Sequence, residues 1–380
     1  MEKGWRGRRS SMKIRDSFAG AEACHHGGRI RSVASSLELR QEDLLDYSAN
    51  INPLGHPPLD DLILREMERI GHYPDNDYVD FRTAAAGFVG VEAENVVPGN
   101  GSSELMRLFA EAVIEEKDMV VITVPTFGEY ASQSRLFGAE IVPVPRGIDR
   151  PADPKDFLSD ALLEETKAVF ICNPNNPTGI LLSRSMIHNL AERCERAETF
   201  LFVDEAFIEL SEPEETVADV APGMEHLFVA RSLTKSFGVP GIRLGFGVAG
   251  DSLAEVMNRT RLPWSISSLA SAAGAHLLSQ DDHLVRSRRV IKEELAWLTG
   301  ELERLGLDPV RSSVNFILVG LGRKGIRSSD LVERMLQERV LVRDCRSFGL
   351  GEGYVRVAVR NREENKRFIS ALEKVLGWRG

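Results

Sequence analysis

The chain of 380 residues is short of the features that mark several protein classes. It has only four cysteines, Cys24, Cys172, Cys194 and Cys345, with no C-x-x-C spacing and no clustering with other metal-ligand types. That usage predicts reduced thiols in a cytoplasmic protein and no metal centre. No apolar run approaches the roughly 18 residues a membrane span needs. A basic excess is also missing: the net charge is −10, which argues against nucleic acid as the main partner. The first sixteen residues hold six Lys or Arg, but no apolar stretch follows as in a signal peptide. Met12 is a candidate start, which would make residues 1–11 a dispensable tail. Internal repeats and low-complexity tracts are absent too.

What is present fits a globular protein of more than one core, with 43% hydrophobic and 27% charged residues. The stretch Arg231-Ser232-Leu233-Thr234-Lys235-Ser236-Phe237-Gly238-Val239-Pro240-Gly241-Ile242-Arg243 stands out. It follows an apolar strand, so Lys235 is expected on a loop leaving a sheet. A desolvated lysine near cations has a lowered pKa and can act as a Schiff-base nucleophile. The hydroxyls of Ser232 and Thr234, with Arg243, suit a phosphate. Taken alone, the same stretch also reads as a solvated loop.

Other strands end in chemically useful residues. The apolar runs Met119 to Val124, Ala168 to Cys172 and Phe200 to Val203 read as strands buried on both faces. They lead into Phe127, Asn173-Pro174-Asn175-Asn176-Pro177-Thr178-Gly179 and Asp204-Glu205-Ala206-Phe207. Open α/β sheets bind ligands at such carboxyl ends. Gly101-Ser102-Ser103 opens a helical run through Val113, and a Gly/Ser loop at a helix N-terminus favours anions. Upstream lie the Gly-rich turn His25-His26-Gly27-Gly28-Arg29 and the stretch Asp46 to Gly55, which contains Asn52. The segment Leu284 to Leu305 reads as a long amphipathic helix. After it, strands at Val314 to Val319, Val340 to Arg343 and Tyr354 to Val359 alternate with helices, as in a small α+β domain.

In this order the motifs resemble the pyridoxal-phosphate enzymes of the aspartate-aminotransferase fold, and the resemblance covers nearly the whole chain. Its carriers are Asn173-Pro174-x-x-Pro177-x-Gly179, Asp204-Glu205-Ala206, and Ser232-x-Thr234-Lys235 with Pro240-Gly241-x-Arg243. The resemblance implies fold type I: a large domain (56–280) with a mostly parallel sheet, a small α+β domain (281–380), and an N-terminal arm (1–55). It implies pyridoxal 5′-phosphate as cofactor, bound to Lys235 as a Schiff base. Asp204 would then pair with the pyridine nitrogen, Asn173 would donate to the phenolic oxygen, and Phe127 would stack on the ring. Gly101, Ser102, Ser103, Ser232, Thr234 and Arg243 would hold the cofactor phosphate. Tyr73 would reach the neighbouring subunit's phosphate, which implies a homodimer with shared sites. One departure is Phe207, where related aminotransferases commonly carry a tyrosine.

Two branches of the family look nearest, the histidinol-phosphate aminotransferases and the L-threonine O-3-phosphate decarboxylases of cobalamin biosynthesis. The stretches His26-Gly27-Gly28, Asp46 to Gly55 and Gly99 to Glu104 look like the decarboxylases, although Arg29 replaces their usual asparagine. This resemblance implies a small phosphorylated amino acid as substrate, L-threonine O-3-phosphate or its serine analogue. His26, Gly27, Arg29, Asn52 and Arg356 would bind it. A ligand-sensing regulator on the same fold would need a DNA-binding extension or a basic face, and the chain has neither.

Overall fold

The structure, a computed structural model, describes residues 15–377 apart from 22 and 25. Met12 and His25 lie outside the described residues. Among the described residues, thirteen strands in chain order begin with β1 (Leu45–Asp46), β2 (Val96–Gly99), β3 (Met119–Val124), β4 (Glu140–Pro145), β5 (Ala168–Cys172), β6 (Phe200–Asp204) and β7 (Leu227–Ser232). They continue with β8 (Gly245–Ala249), β9 (Asp308–Pro309), β10 (Phe316–Gly320), β11 (Val340–Leu341), β12 (Arg343–Asp344) and β13 (Tyr354–Ala358).

Seven strands form the main sheet in the order β2-β8-β7-β6-β5-β3-β4. Six of them point the same way, and β8 is antiparallel to both its neighbours, β2 and β7. Because helices cover both faces, β5, β7 and β8 are buried at every position, which explains why β5 and β8 carry no charged residue and β7 is apolar until Arg231 and Ser232 at its carboxyl end. One face carries a ladder of aromatic rings: Phe170 lies 5.1 Å from Phe202, and Phe202 lies 5.3 Å from Phe228. The parallel strands β5, β6 and β7 end at one edge, and that edge is where the site forms.

A second sheet, β12-β13-β10-β9, is antiparallel. Leu298 and Leu302 of the 24-residue helix Asp281–Arg304 share a core with Val355 and Val357 of β13. The segment 340–343, expected as one strand, is two. Val340 and Leu341 pair with Leu45 and Asp46, while Arg343 and Asp344 pair with β13. The chain changes partner at Val342, so the N-terminal arm is stitched to the second sheet. Lys235 also differs from expectation, lying in a helical turn, Leu233–Ser236, rather than a loop.

Candidate active site

A cavity of about 1240 Å³ opens where the carboxyl ends of β5, β6 and β7 meet the second sheet and the arm. Lys235 lies on its wall beside Ser232, Thr234 and Arg243. Asp204, Phe127, Ser102 and Ser103 line it from the main sheet. Arg356 lines it from β13, and His26 and Gly27 from the arm. Residues from opposite ends of the chain thus share one chamber because strand ends converge there.

The electrostatics suit a Schiff-base lysine. Burial, then the cations Arg356 and Arg243, hold the Lys235 amine down at about 8. Asp204 is only 3% exposed, and burial lifts its carboxyl to about 6. Tyr130 Oη donates to Asp204 Oδ2 at 2.6 Å, and the Ala206 N–H donates to Oδ1 at 3.0 Å. Both bonds favour the carboxylate form and partly offset the burial.

A phosphate cradle adjoins the lysine. Ser102 and Ser103 begin the twelve-residue helix Ser102–Val113, so unpaired N–H groups face the cavity. At Gly101 the backbone φ is +80°, and a Cβ there would stand 2.6 Å from Arg243 Nη2. Only glycine lets the guanidinium come this close. Arg243 itself sits at φ +60°, a conformation that costs a non-glycine residue roughly 1 kcal/mol or more and often marks a functional position.

Four expected site residues lie elsewhere. Asn173 is fully buried behind the cavity, where its Nδ2 donates to the Leu182 carbonyl and its Oδ1 accepts from the Leu182 N–H. The oxygen and one N–H of its amide are thus spent on the backbone of Leu182 rather than in the cavity. Asn176, later in the same turn, lines the cavity instead and accepts from Arg356 Nη1. Asn52 is likewise turned away, donating to the Ser236 carbonyl and to Ser287. Its neighbour Asn50 lines the cavity with Oδ1 buried and without a partner among the described residues. Arg29 lines an adjoining cavity of about 540 Å³. Tyr73 is 80% exposed and stacks on Trp264 at 4.6 Å, outside this chain's own cavity.

Two further residues, carried by no sequence motif, belong to the site. Tyr130, in the first turn of the helix Glu129–Leu136, meets the Phe127 ring edge-on at 5.8 Å and stacks on Phe170 at 5.5 Å. Arg343 faces the cavity from β12, directly opposite Arg356 on β13. The arm enters through a tight contact: a Cβ on Gly27 would stand 2.2 Å from the Ser48 carbonyl oxygen. That packing delivers His26 to Glu129, at 2.8 Å, and to within 5.6 Å of the Phe127 ring.

This donor set fits a phosphorylated pyridine aldehyde: an amine near neutrality, a buried carboxylate, a phenyl face and a glycine-cradled arginine at a helix start. The family profile for aminotransferase class I and II matches residues 42–372. The chain belongs to that family. It is a pyridoxal-phosphate-dependent enzyme of fold type I. The chain is 36% identical to the threonine-phosphate decarboxylase of Salmonella typhimurium, covering 92% of this chain and 96% of that one. It is also 35% identical to the histidinol-phosphate aminotransferase of Symbiobacterium thermophilum, over 90% and 92% of the two chains. The histidinol-phosphate aminotransferase of Sinorhizobium meliloti, solved in complex with pyridoxal-5′-phosphate, superposes with a TM-score of 0.85. Its 20% identity, over 96% of this chain and 98% of that one, makes this a likeness of fold. Among the described residues, no helix is long and apolar enough to cross a membrane.

Proposed function

We propose that this enzyme decarboxylates L-threonine O-3-phosphate to (R)-1-aminopropan-2-yl phosphate and carbon dioxide. The observation that carries this reading is the cross-strand pair Arg343 and Arg356. Like charges directly opposite each other weaken a sheet. Each is buried enough that desolvation lowers its pKa, to about 10 for Arg356. Such a pair is relieved when an anion enters between them. Arg356 Nε has no partner among the described residues, so one donor remains for it. His26 offers a second place for an anion, on the arm, and Arg243 a third, beside Lys235. Phosphothreonine and the cofactor together carry three anionic groups.

When bound, the cofactor supplies an electron sink for a bond to the substrate's Cα. Asp204 would hold the ring nitrogen's proton, Asn176 would face the ring oxygen, and Arg243 with Ser102 and Ser103 would hold the phosphate. Arg356, Arg343 and Asn50 would fix the substrate's anionic groups and so choose which Cα bond stands perpendicular to the ring. With the Cα–carboxylate bond so placed, carbon dioxide leaves and Cα gains a proton. Lys235, charged below about 8, is the acid on hand to give it. Phe207 walls the cavity 5.1 Å from Phe316, without a hydroxyl.

Transamination of a phosphorylated amine is the second reading, favoured by relatives named histidinol-phosphate aminotransferase. Carbon dioxide release from phosphothreonine, run beside 2-oxoglutarate-dependent transamination of histidinol phosphate, separates the two. Release without a 2-oxo acid supports the first reading, and transamination alone would overturn it. We also propose a homodimer in which Tyr73 serves the partner's site. The exposed Leu64, Ile70 and Leu262 join Tyr73 among the apolar residues left uncovered in a single chain. Sedimentation at the mass of one chain would refute that assembly.

A further inference from the structure

Ser236 follows Lys235 directly and is 1% exposed. Its hydroxyl donates to Glu209 Oε2 at 2.9 Å. Its carbonyl accepts from Asn52 Nδ2 at 2.7 Å. The same amide group donates to Ser287 Oγ at 2.8 Å. Arg288, the next residue, donates from Nη1 to the Glu209 carbonyl oxygen at 3.0 Å. These contacts close a ring. Two adjacent positions of helix Asp281–Arg304 grip the residue after Lys235 from opposite sides, one through Asn52 and one through Glu209.

The ring is buried except at Arg288, which is half-buried. Asn52, Glu209 and Ser287 are 3%, 4% and 0% exposed. Asn52 Oδ1 accepts from the Leu54 N–H at 3.0 Å, and Ser287 Oγ donates to the His283 carbonyl at 2.7 Å. Arg231 neutralises Glu209 through Nη1 and places Nε 3.0 Å from Glu205 Oε2. Glu205 adjoins Asp204 in sequence, so the same charges hold the carboxylate strand in place. Farther along, the helix packs on β9 and β10 and shares a core with β13, which carries Arg356. A linked polar network in a low-dielectric interior is stiffened by its mutual hydrogen bonds.

We propose that Asn52 and Glu209, joined through Ser236, Ser287 and Arg288, are positioning residues that fix Lys235 relative to the helix beneath the Arg356 sheet. Neither touches the cavity, and neither is a catalytic residue. Their part is to keep the amine of Lys235 and the anion held at Arg356 in one frame. The inference rests on Lys235 being the cofactor's attachment point, whatever the substrate.

Borohydride reduction of the cofactor-loaded enzyme, followed by peptide mass analysis, first locates the cofactor. A label away from Lys235 would sink that reading and this inference with it. The ring is then tested by the pH titration of visible absorbance in Asn52→Ala and Ser287→Ala, a readout independent of substrate. A displaced amine moves the titration midpoint by about half a pH unit or more. It also lowers kcat about tenfold, with KM for phosphothreonine changed far less. The double variant should match Asn52→Ala, because both changes break the same link. If melting temperatures fall while midpoint and kcat stay at the parent values, the ring is only structural and the inference is wrong. Should Asn52→Ala fail to fold, Ser287→Ala, which removes one hydroxyl, decides between the two outcomes by the same midpoint and kcat.

Discussion

Tyr130 Oη donates a 2.6 Å hydrogen bond to Asp204 Oδ2 in a fully buried setting. Desolvation pushes both groups toward their neutral forms, raising the phenol well above its usual value and the carboxyl to about 6. The bond opposes this for Asp204, because it stabilises the charged acceptor.

Tyr130→Phe removes that stabilisation, so the Asp204 pKa should rise further. More of the carboxyl would then be protonated at neutral pH, and its pairing with the ring nitrogen would weaken. The expected outcome is faster cofactor loss on dialysis and a kcat lowered by about tenfold, the loss typical of one charge-assisted bond. Unchanged cofactor retention would show that Asp204 does not depend on Tyr130.

Lys235 gives a pH prediction of definite sign. Its amine is held at about 8 by burial and by two arginines, and only the neutral amine attacks an aldehyde. Reconstitution of cofactor-free enzyme should therefore quicken as pH rises through about 8 and level off above it. In Arg356→Gln one cation is gone, the charged amine is less disfavoured, and the curve should shift to higher pH. A rate flat across that range would contradict the assignment.

The two asparagines of the Asn-Pro turn should separate stability from chemistry. Asn173→Ala breaks two buried bonds to Leu182, and the loss should be about 1–3 kcal/mol of stability with visible absorbance intact. Asn176→Ala should melt near the parent and lose about ten- to a hundredfold in kcat/KM. Thermal melts and steady-state kinetics on the pair check both.

Gly27→Ala tests the arm. A methyl group 2.2 Å from the Ser48 oxygen must push His26 away from Glu129 and the cavity. KM for phosphothreonine should rise by about tenfold or more while cofactor binding is unaffected. An unchanged KM would remove His26 from substrate binding.

Much of this architecture was legible in the sequence where burial was extreme. Strands β3 and β5 have the bounds expected from their apolar runs, because their central positions are buried and no charged residue interrupts them. Lys235, Asp204 and Phe127 stood out for the same reason, as polar or aromatic residues where such runs stop. Choices between near neighbours were not legible. Asn50 and Asn52, like Asn173 and Asn176, belong to single motifs, and only the path of the turn decides which amide faces the cavity and which is used up on backbone. Arg343 was hidden because its segment read as one strand. The change of partner at Val342, set by pairing with Leu45 and Asp46, is a long-range event with no local signal.

The most direct test follows the substrate's carboxyl carbon. Carboxyl-labelled L-threonine O-3-phosphate is incubated with cofactor-loaded enzyme and no 2-oxo acid, and released carbon dioxide is counted against aminopropanol phosphate formed. The expected result is one carbon dioxide per product molecule over many turnovers, lost in Lys235→Ala. Retention of the label, with amino transfer only when a 2-oxo acid is added, would contradict the proposed reaction.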